Sequence, residues 1–328
     1  MSRKLRKIGI IIATVLLILG TLPFVGLGTA QAADTTSTGK SGNDKITIGT
    51  VKNTAAIPAL MADAAGDFTS QNISAEVKTF DSNSQLDAAI KDGTVNAAVT
   101  DLVSYAGLVN EKSNASWKVV GTLPGYNGLV ANKKYKSVKS LKGKTIALDK
   151  KDASKQYLLS VLKKNKMKSS SVKIKQVDGQ QDRVNALKDG SVDAAILEDP
   201  LMSSAKANGG KILNRQKMSA DNGNVLIVNN KFAKSNVSST QILVDTLNKE
   251  IKQLNKTDSY GMAGTALNKL NYDQKGAEVL TKLDLTFKKV HKVKKSDFNK
   301  SFKYAKSHKL YKGKVSYKAR TLKVKGVK

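Results

Sequence analysis

Two segments in opposite halves of the chain read nearly alike. They are Asp87-Ala-Ala-Ile-Lys-Asp-Gly-Thr-Val-Asn-Ala-Ala-Val-Thr-Asp101 and Val184-Asn-Ala-Leu-Lys-Asp-Gly-Ser-Val-Asp-Ala-Ala-Ile-Leu-Glu-Asp199. Each reads as a helix, a Lys-Asp-Gly turn that ends it, a Val-x-Ala-Ala strand, and an acid at the strand's carboxyl end. Helix–glycine–strand units share some likeness by construction. The same order of residues in both halves nevertheless points to two lobes built on one plan.

The sequence around each copy extends the pattern. In the first half, Lys45-Ile-Thr-Ile-Gly-Thr-Val51 alternates like a strand, and Ile57–Phe68 keeps its apolar residues on one helical face, with Pro58 tolerable in the first turn. Ser74–Phe80 reads as a strand, Gln85–Lys91 as a helix and Val95–Val99 as a strand. In the second half, strands are expected at Lys144–Leu148, Val172–Val177 and Val192–Leu197, with helices at Ser154–Lys166 and Asp182–Lys188. Strands alternating with helices indicate an α/β fold with largely parallel sheets. Leu123–Asn132 and Asp221–Asn230 are short apolar strands approached through Gly/Asn-rich turns, as expected where a chain crosses between lobes. Helices over Thr240–Asn255, Tyr272–Leu283 and Ser296–Ser307 would complete the first lobe. The expected division is lobe 1 over 45–127 and 225–328, with lobe 2 inserted over 128–224.

The N-terminus reads as an export signal over residues 1–32. Arg3, Lys4, Arg6 and Lys7 precede the apolar stretch Ile8–Leu19, and Ala30-Gln31-Ala32 supplies an A-x-A cleavage site. An uncleaved anchor is the competing reading; Pro23 and the nearby glycines argue against it. Residues 33–44, rich in Thr, Ser, Gly and Asn, read as a flexible leader.

The chain has no cysteine, which excludes disulfides, zinc–thiolate sites, cysteine nucleophiles and a lipid-modified N-terminal Cys. No metal or cofactor site is expected. The net charge is +30, yet only five of the cations are arginine and aromatics make up 5% of residues. Base-reading proteins rely on Arg forks and aromatic platforms, so nucleic acid is not the expected partner. Lysine supplies a diffuse, hydrated field, and its densest stretch, Lys288–Lys328, holds 16 basic residues against the single acid Asp297. That region is a candidate for docking to an anionic cell-wall polymer or membrane surface, or else a solvated face that aids solubility.

Val138-Lys-Ser-Leu-Lys-Gly-Lys-Thr-Ile-Ala147 resembles the D-L-K-G-K-x-I-A signature of the nitrate/sulfonate/taurine and thiamine-precursor binding-protein superfamily, with Lys139-Ser140 where an acidic approach is usual. Gln156-Tyr-Leu-Leu159 resembles its L-L-x-x-L helix, Asn185–Ala195 its A-L-x-x-G-x-V-D-A-A segment, and Ala62–Phe68 its A-x-x-x-G-x-F helix; Pro200 after an acidic pair is similar to its W-E-P end. The resemblance covers Lys45–Val228 well and the C-terminal helices loosely. It implies a type II periplasmic-binding-protein fold, two lobes joined by two crossing strands and closing on a small-molecule ligand by hinge motion. It also implies the extracytoplasmic solute-binding component of an ABC importer, a monomer that delivers a small organic solute to an ABC permease. In single-membrane, Gram-positive bacteria such proteins usually carry a lipid anchor. Without that cysteine, a secreted, cell-surface-associated protein would need another means of retention.

Ligands of open α/β sheets sit beyond the strand carboxyl ends, near helix N-termini. That rule selects Lys52, Asn53 and Thr54 after the first strand, Thr100 and Asp101 after the third, and Tyr126 and Asn127 at the first crossing. From lobe 2 it selects Asp152, Ala153 and Ser154, then Glu198 and Asp199, with Asn222 and Asn224 at the second crossing. Asn53, Ser154 and Asn222 equally suit helix capping or turns. Tyr126, a lone aromatic at a crossing, suits stacking on a ligand. Asp101, Glu198 and Asp199 could instead be solvated loop ends or pair with lysines across the lobes. Glu198 stands where relatives often carry Trp, which weakens the case for a flat pyrimidine. A carboxylate about 4 Å from a bound sulfonate would cost roughly 4 kcal/mol at an effective dielectric near 20. Unless Lys52 or Lys150 offsets that cost, the acids disfavour anions and mildly favour a cationic or amine-bearing solute.

The superfamily includes an enzyme, the thiamine-pyrimidine synthase, whose cysteine-rich, iron-linked site this chain cannot form. His291 and His308 are the only histidines, and no P-loop or G-x-S-x-G element stands out, so no enzyme activity is expected. The alternative is a charge-retained surface protein, adhesin or wall-associated, that uses the same fold without transport.

Overall fold

The computed structural model describes residues 45–71, 73–217, 220–256 and 286–328. The export signal, the leader and the helix expected over 272–283 lie outside the described residues.

The chain begins with β1 (Ile46–Val51), whose six residues are all buried. A short 3-10 turn, capped by the Asn53 side chain, leads into α1 (Ile57–Ala64), and Pro58 sits in the first turn, where its missing N–H leaves no bond unmade. There follow β2 (Ala75–Phe80), α2 (Asn83–Lys91), β3 (Ala97–Asp101), α3 (Leu102–Leu108) and β4 (Trp117–Thr122). The chain then leaves this layer for β5 (Asn127–Asn132), β6 (Thr145–Leu148), α4 (Ala153–Lys164), β7 (Lys173–Gln176), α5 (Gln180–Lys188), β8 (Ala194–Glu198), α6 (Leu201–Ala207) and β9 (Gly210–Arg215). It returns with β10 (Asn224–Asn229), α7 (Asn230–Ser235) and α8 (Val237–Leu254) and closes with α9 (Lys295–Ser307) and α10 (Tyr317–Arg320).

Two five-stranded sheets result, ordered β2-β1-β3-β10-β4 and β7-β6-β8-β5-β9. Their plans coincide. In each, the first three strands are parallel, and the fourth runs antiparallel to both neighbours with a register shift in its outer pairing, at Leu226/Ile227 and at Leu129/Val130. The repeated segments occupy equivalent places as α2–β3 and α5–β8. Both units turn on a glycine at positive φ, Gly93 at 78° and Gly190 at 79°, a backbone state that side chains with a Cβ resist.

The fourth strand of each sheet arrives from the other half of the chain. Residues 123–126 carry the chain from β4 into β5, and residues 216–223 bring it back into β10; Asn127 and Asn224 each open the strand of the next sheet. The crossings lie against each other. Leu123 N–H donates to Asn224 O at 2.9 Å, and Asn222 Nδ2 donates to Gly125 O at 2.9 Å. A Cβ on Gly125 would fall 1.6 Å from Asn224 Nδ2, so only glycine permits this approach.

The first sheet is covered on both faces. Ile46 and Ile48 pack with Leu60 of α1 and with Leu243, Leu247 and Ile251 of α8, while Leu102, Tyr105 and Trp117 pack with Phe298 and Phe302 of α9 on the other side. Leu129, Ile146, Leu148, Leu158 and Val161 form one face of the second sheet's core.

The Lys-rich C-terminal region is folded onto the first sheet. Phe298 and Phe302 stack at 4.2 Å, and Tyr311 and Tyr317 meet them edge-on at 5.0 and 5.3 Å. Thr122 N–H donates to His291 O at 2.7 Å and Leu322 N–H to Val119 O at 2.8 Å, so backbone from this region covers the free edge of β4. The lysines between these contacts point outward. Lys288, His291 and Lys294 also reach Asp221 in the second crossing, at 3.2, 2.9 and 2.9 Å. Against the opposing push of burial, these groups hold the Asp221 carboxyl at about 2. Among the described residues no helix is long and apolar enough to cross a membrane.

Candidate ligand-binding cleft

The carboxyl ends of the parallel strands in both sheets face one narrow cavity of about 20 Å³, open to solvent at its mouth. Lobe 1 contributes the ends of β1, β2 and β3, and lobe 2 the ends of β6, β7 and β8. The cavity lining includes Asn53, Thr100, Asp101, Asn127, Asp152, Ser154, Glu198 and Asn224, together with Ala153.

Asp101 ends β3 and caps α3, accepting from Val103 N at 2.8 Å, Ser104 N at 3.0 Å and Ser104 Oγ at 2.6 Å. Asp152 does the same for α4, accepting from Ser154 N at 2.8 Å and from the Ser154 hydroxyl. Each lobe thus presents a carboxyl at the tip of a helix. Burial, and then the charge of Asp152, push Asp101 up to about 8; burial also raises Asp152, in spite of nearby Arg183.

Glu198, at the end of β8, bridges the lobes. It accepts from Asn53 Nδ2 at 2.6 Å and from Asn224 Nδ2 at 3.3 Å, while its own N–H donates to Gln180 Oε1 at 2.7 Å. Burial lifts its carboxyl to about 7 against these bonds. A second bridge runs from Ser84 Oγ to Asp178 Oδ2 at 3.2 Å.

Arg183 lies on the same wall, 2% exposed. Its fork donates to the carbonyls of Val177 at 2.8 Å, Ile196 at 3.1 Å and Asp178 at 2.9 Å, and it stands 3.5 Å from Asp152 Oδ2. Three of its five N–H donors are therefore bonded to backbone carbonyls.

Other residues expected at the cleft take other places. Lys52 pairs with Asp81 at 2.6 Å, and Thr54 is buried in the turn ahead of α1. Tyr126 is 3% exposed and donates to Asp199 Oδ2 at 2.6 Å, so its ring is packed and offers no platform to a ligand. Asp199 is fully buried and also accepts from Ser203 N at 2.7 Å. Asn222 is held by Gly125 O and Lys217 O in the crossing. None of these five lines the cavity: Lys52, Tyr126, Asp199 and Asn222 are held by other groups of the fold, and the Thr54 hydroxyl is buried without a hydrogen-bond partner among the described residues. Asp81, Ser82, Asn83, Asp178, Gln180 and Arg183 line it instead. All but Arg183 follow the ends of β2 and β7, to which the strand-end rule extends equally.

A family model described as NMT1/THI5 like matches residues 53–255, which spans the cleft's walls and both crossings. The chain belongs to the NMT1/THI5-like family. Among solved structures it is similar to the alkanesulfonate-binding protein SsuA from Xanthomonas axonopodis pv. citri bound to MOPS, at 18% identity and a TM-score of 0.71, covering 85% of this chain and 98% of that one. It is similar also to the ligand-binding component of an ABC-type import system from Staphylococcus aureus, at 16% identity and 0.70, covering 85% and 96%. The desulfurization enzyme DSZB matches at 12% identity and 0.64, covering 85% and 96%. No curated protein matches the sequence. The NMT1/THI5-like chain therefore has the two-lobed α/β architecture of periplasmic binding proteins, a fold used mostly for binding and in one such neighbour for catalysis.

Were the two lobes of this family member to part, the carboxyls between them would make that opening pH-dependent. Asp101 on lobe 1 faces Asp152 and Glu198 on lobe 2, with Asp149, Asp178, Arg183, Tyr304 and the Asp81–Lys52 pair around them. Opening rehydrates these groups, so the closed form binds more protons than the open one. Closure is therefore favoured at low pH and lost as pH rises through about 7 to 8, by up to about tenfold in the closed-to-open ratio per pH unit for each group that titrates. Small-angle scattering of unliganded protein should show a larger radius of gyration at alkaline than at mildly acidic pH. An unchanged or smaller radius would contradict this account.

Proposed function

We propose that this protein is the extracytoplasmic solute-binding component of an ABC importer, holding a small organic solute between its lobes and handing it to a permease without converting it. The observation that carries the reading is the cleft, with polar walls from both lobes at the strand ends and two short adjoining crossings. Hinge motion about such crossings encloses a solute and frees it again. The printed names of similar structures, an alkanesulfonate-binding protein and a ligand-binding component of an import system, support the same reading.

The lobe division at 127/128 and 224/225, the export signal over 1–32 and the cognate permease are parts of this proposal. So is retention of the secreted protein at an anionic envelope surface through Lys288–Lys328, which outward-pointing lysines support by charge alone. The adhesin or wall-protein alternative draws on those same lysines and leaves the cleft without a role.

The test is to denature protein purified from its native culture, identify released small molecules by mass spectrometry, and add each to refolded protein. A solute that raises the melting temperature and shrinks the radius of gyration supports the reading. If neither a released compound nor a broad library of cationic, anionic and neutral solutes does so, the importer assignment fails.

A further inference from the structure

On the reading of the cleft as a solute site, its walls also specify the charge of the solute. We infer that the cavity between the lobes takes a small organic cation, presenting an ammonium, amidinium or guanidinium group to Asp101, Asp152 and Glu198, in place of a sulfonate or nitrate anion.

Acidic residues dominate the walls of an otherwise basic molecule, and their raised pKa values make them a site that ionises as a cation enters. The chain carries a net +30, yet the lining brings in Asp81, Asp101, Asp152, Asp178 and Glu198. The cations beside them are committed: Lys52 to Asp81 at 2.6 Å, and Arg183 to three backbone carbonyls and Asp152. An incoming anion would meet buried carboxyls with no free counter-charge on the lining.

The backbone positions that usually receive anions are also filled. Helix N-termini attract negative charge through their free N–H groups. Here the caps of α3 and α4 are the cleft's own Asp101 and Asp152, and Ser82 caps α2. At the N-terminus of α5, which has no side-chain cap, Asp182 lies in the first turn, and a Cβ on Gly179 would fall 2.7 Å from its Oδ2. The protein's own oxygens thus stand where a sulfonate would bind.

Acceptor capacity remains for a cationic donor. A carboxylate offers about four lone-pair directions. The Tyr304 hydroxyl, near Asp101 and Asp152 and behind the cavity lining, is buried with no hydrogen-bond partner among the described residues. An organic cation with several N–H donors can reach separate acceptors on the two lobes.

The test titrates the full-length protein with methylguanidine, agmatine, butane-1-sulfonate and nitrate, following melting temperature and calorimetric heat. At least one of the two cations should bind and raise the melting temperature, and neither anion should. The double variant Asp101→Asn, Asp152→Asn retains both helix caps, because asparagine caps as well as aspartate, and should lose cation affinity by roughly a hundredfold or more. Methylguanidine keeps its charge throughout this range, so a second readout needs no variant: its affinity should rise as pH increases from about 6 to about 8.5, with proton release on binding. Binding of the anions in preference to the cations overturns the charge assignment and leaves the solute-binding reading standing. Cation binding that is insensitive to both the double variant and pH overturns the placement at these carboxyls. If neither cation binds, the inference fails; if a broad library of neutral solutes fails as well, the solute-binding reading fails with it.

Discussion

Arg183→Ala is expected to destabilise the second lobe by about 3–5 kcal/mol, the usual cost of removing one member of a buried, hydrogen-bonded charge group. The side chain is 2% exposed and joins three places in the fold: it donates to the carbonyls of Val177 and Asp178 just after β7, to Ile196 in β8, and faces Asp152 at the tip of α4. Alanine would leave those carbonyls without a donor and Asp152 without its counter-charge. Arg183→Lys should recover only part of the loss, because one ammonium cannot span acceptors that a planar fork reaches together. Urea denaturation of the three proteins measures this directly. A loss below about 1 kcal/mol for the alanine variant would mean that water replaces the guanidinium without difficulty.

Phe302→Ala should cost a similar amount, about 3–5 kcal/mol. Phe302 is fully buried, stacks on Phe298 at 4.2 Å, and meets Tyr105 and Tyr311 at 6.0 and 5.0 Å. Removing the ring opens a cavity between α9 and α3 that the rigid aromatic neighbours cannot fill. Lys303→Gln, one residue along the same helix and exposed, should change stability by no more than about 0.5 kcal/mol. The pair distinguishes two roles that lie together in one segment. If Phe302→Ala unfolds no earlier in urea than wild type, α9 is not part of the first lobe's core.

The sequence was most legible where local pattern and tertiary role coincide. The Lys-Asp-Gly turns announced α2–β3 and α5–β8, since Gly93 and Gly190 hold a positive φ that belongs to the turn itself. Asp101, Asp152 and Glu198 were found because a strand's carboxyl end is fixed by its own sequence. Legibility failed where the answer depended on a distant partner. Tyr126 looked like a platform for a ligand because nothing near it in sequence reveals that its hydroxyl meets Asp199. Arg183 sits on a helix where a charge ordinarily reads as solvated, and only the carbonyls of Val177 and Ile196 explain its burial. β9 is an edge strand of half-buried residues with little periodicity to mark it. The charge of Lys288–Lys328 hid the aromatic residues that fix that segment to the fold, because composition averages over two faces of one helix.

The position of β10 also has a consequence for the order in which the protein can be made. β10 lies inside the first sheet, between β3 and β4, while everything the second sheet needs is contained between residues 127 and 215. A chain that emerges from synthesis or from a membrane channel N-terminus first therefore completes its second half-molecule early. The first must wait, with β3 and β4 unjoined, until β10 and then α9 have emerged. During that interval the apolar strands of the N-terminal segment are the ones open to mispairing, and a holding chaperone or a slowed translocation step would protect them.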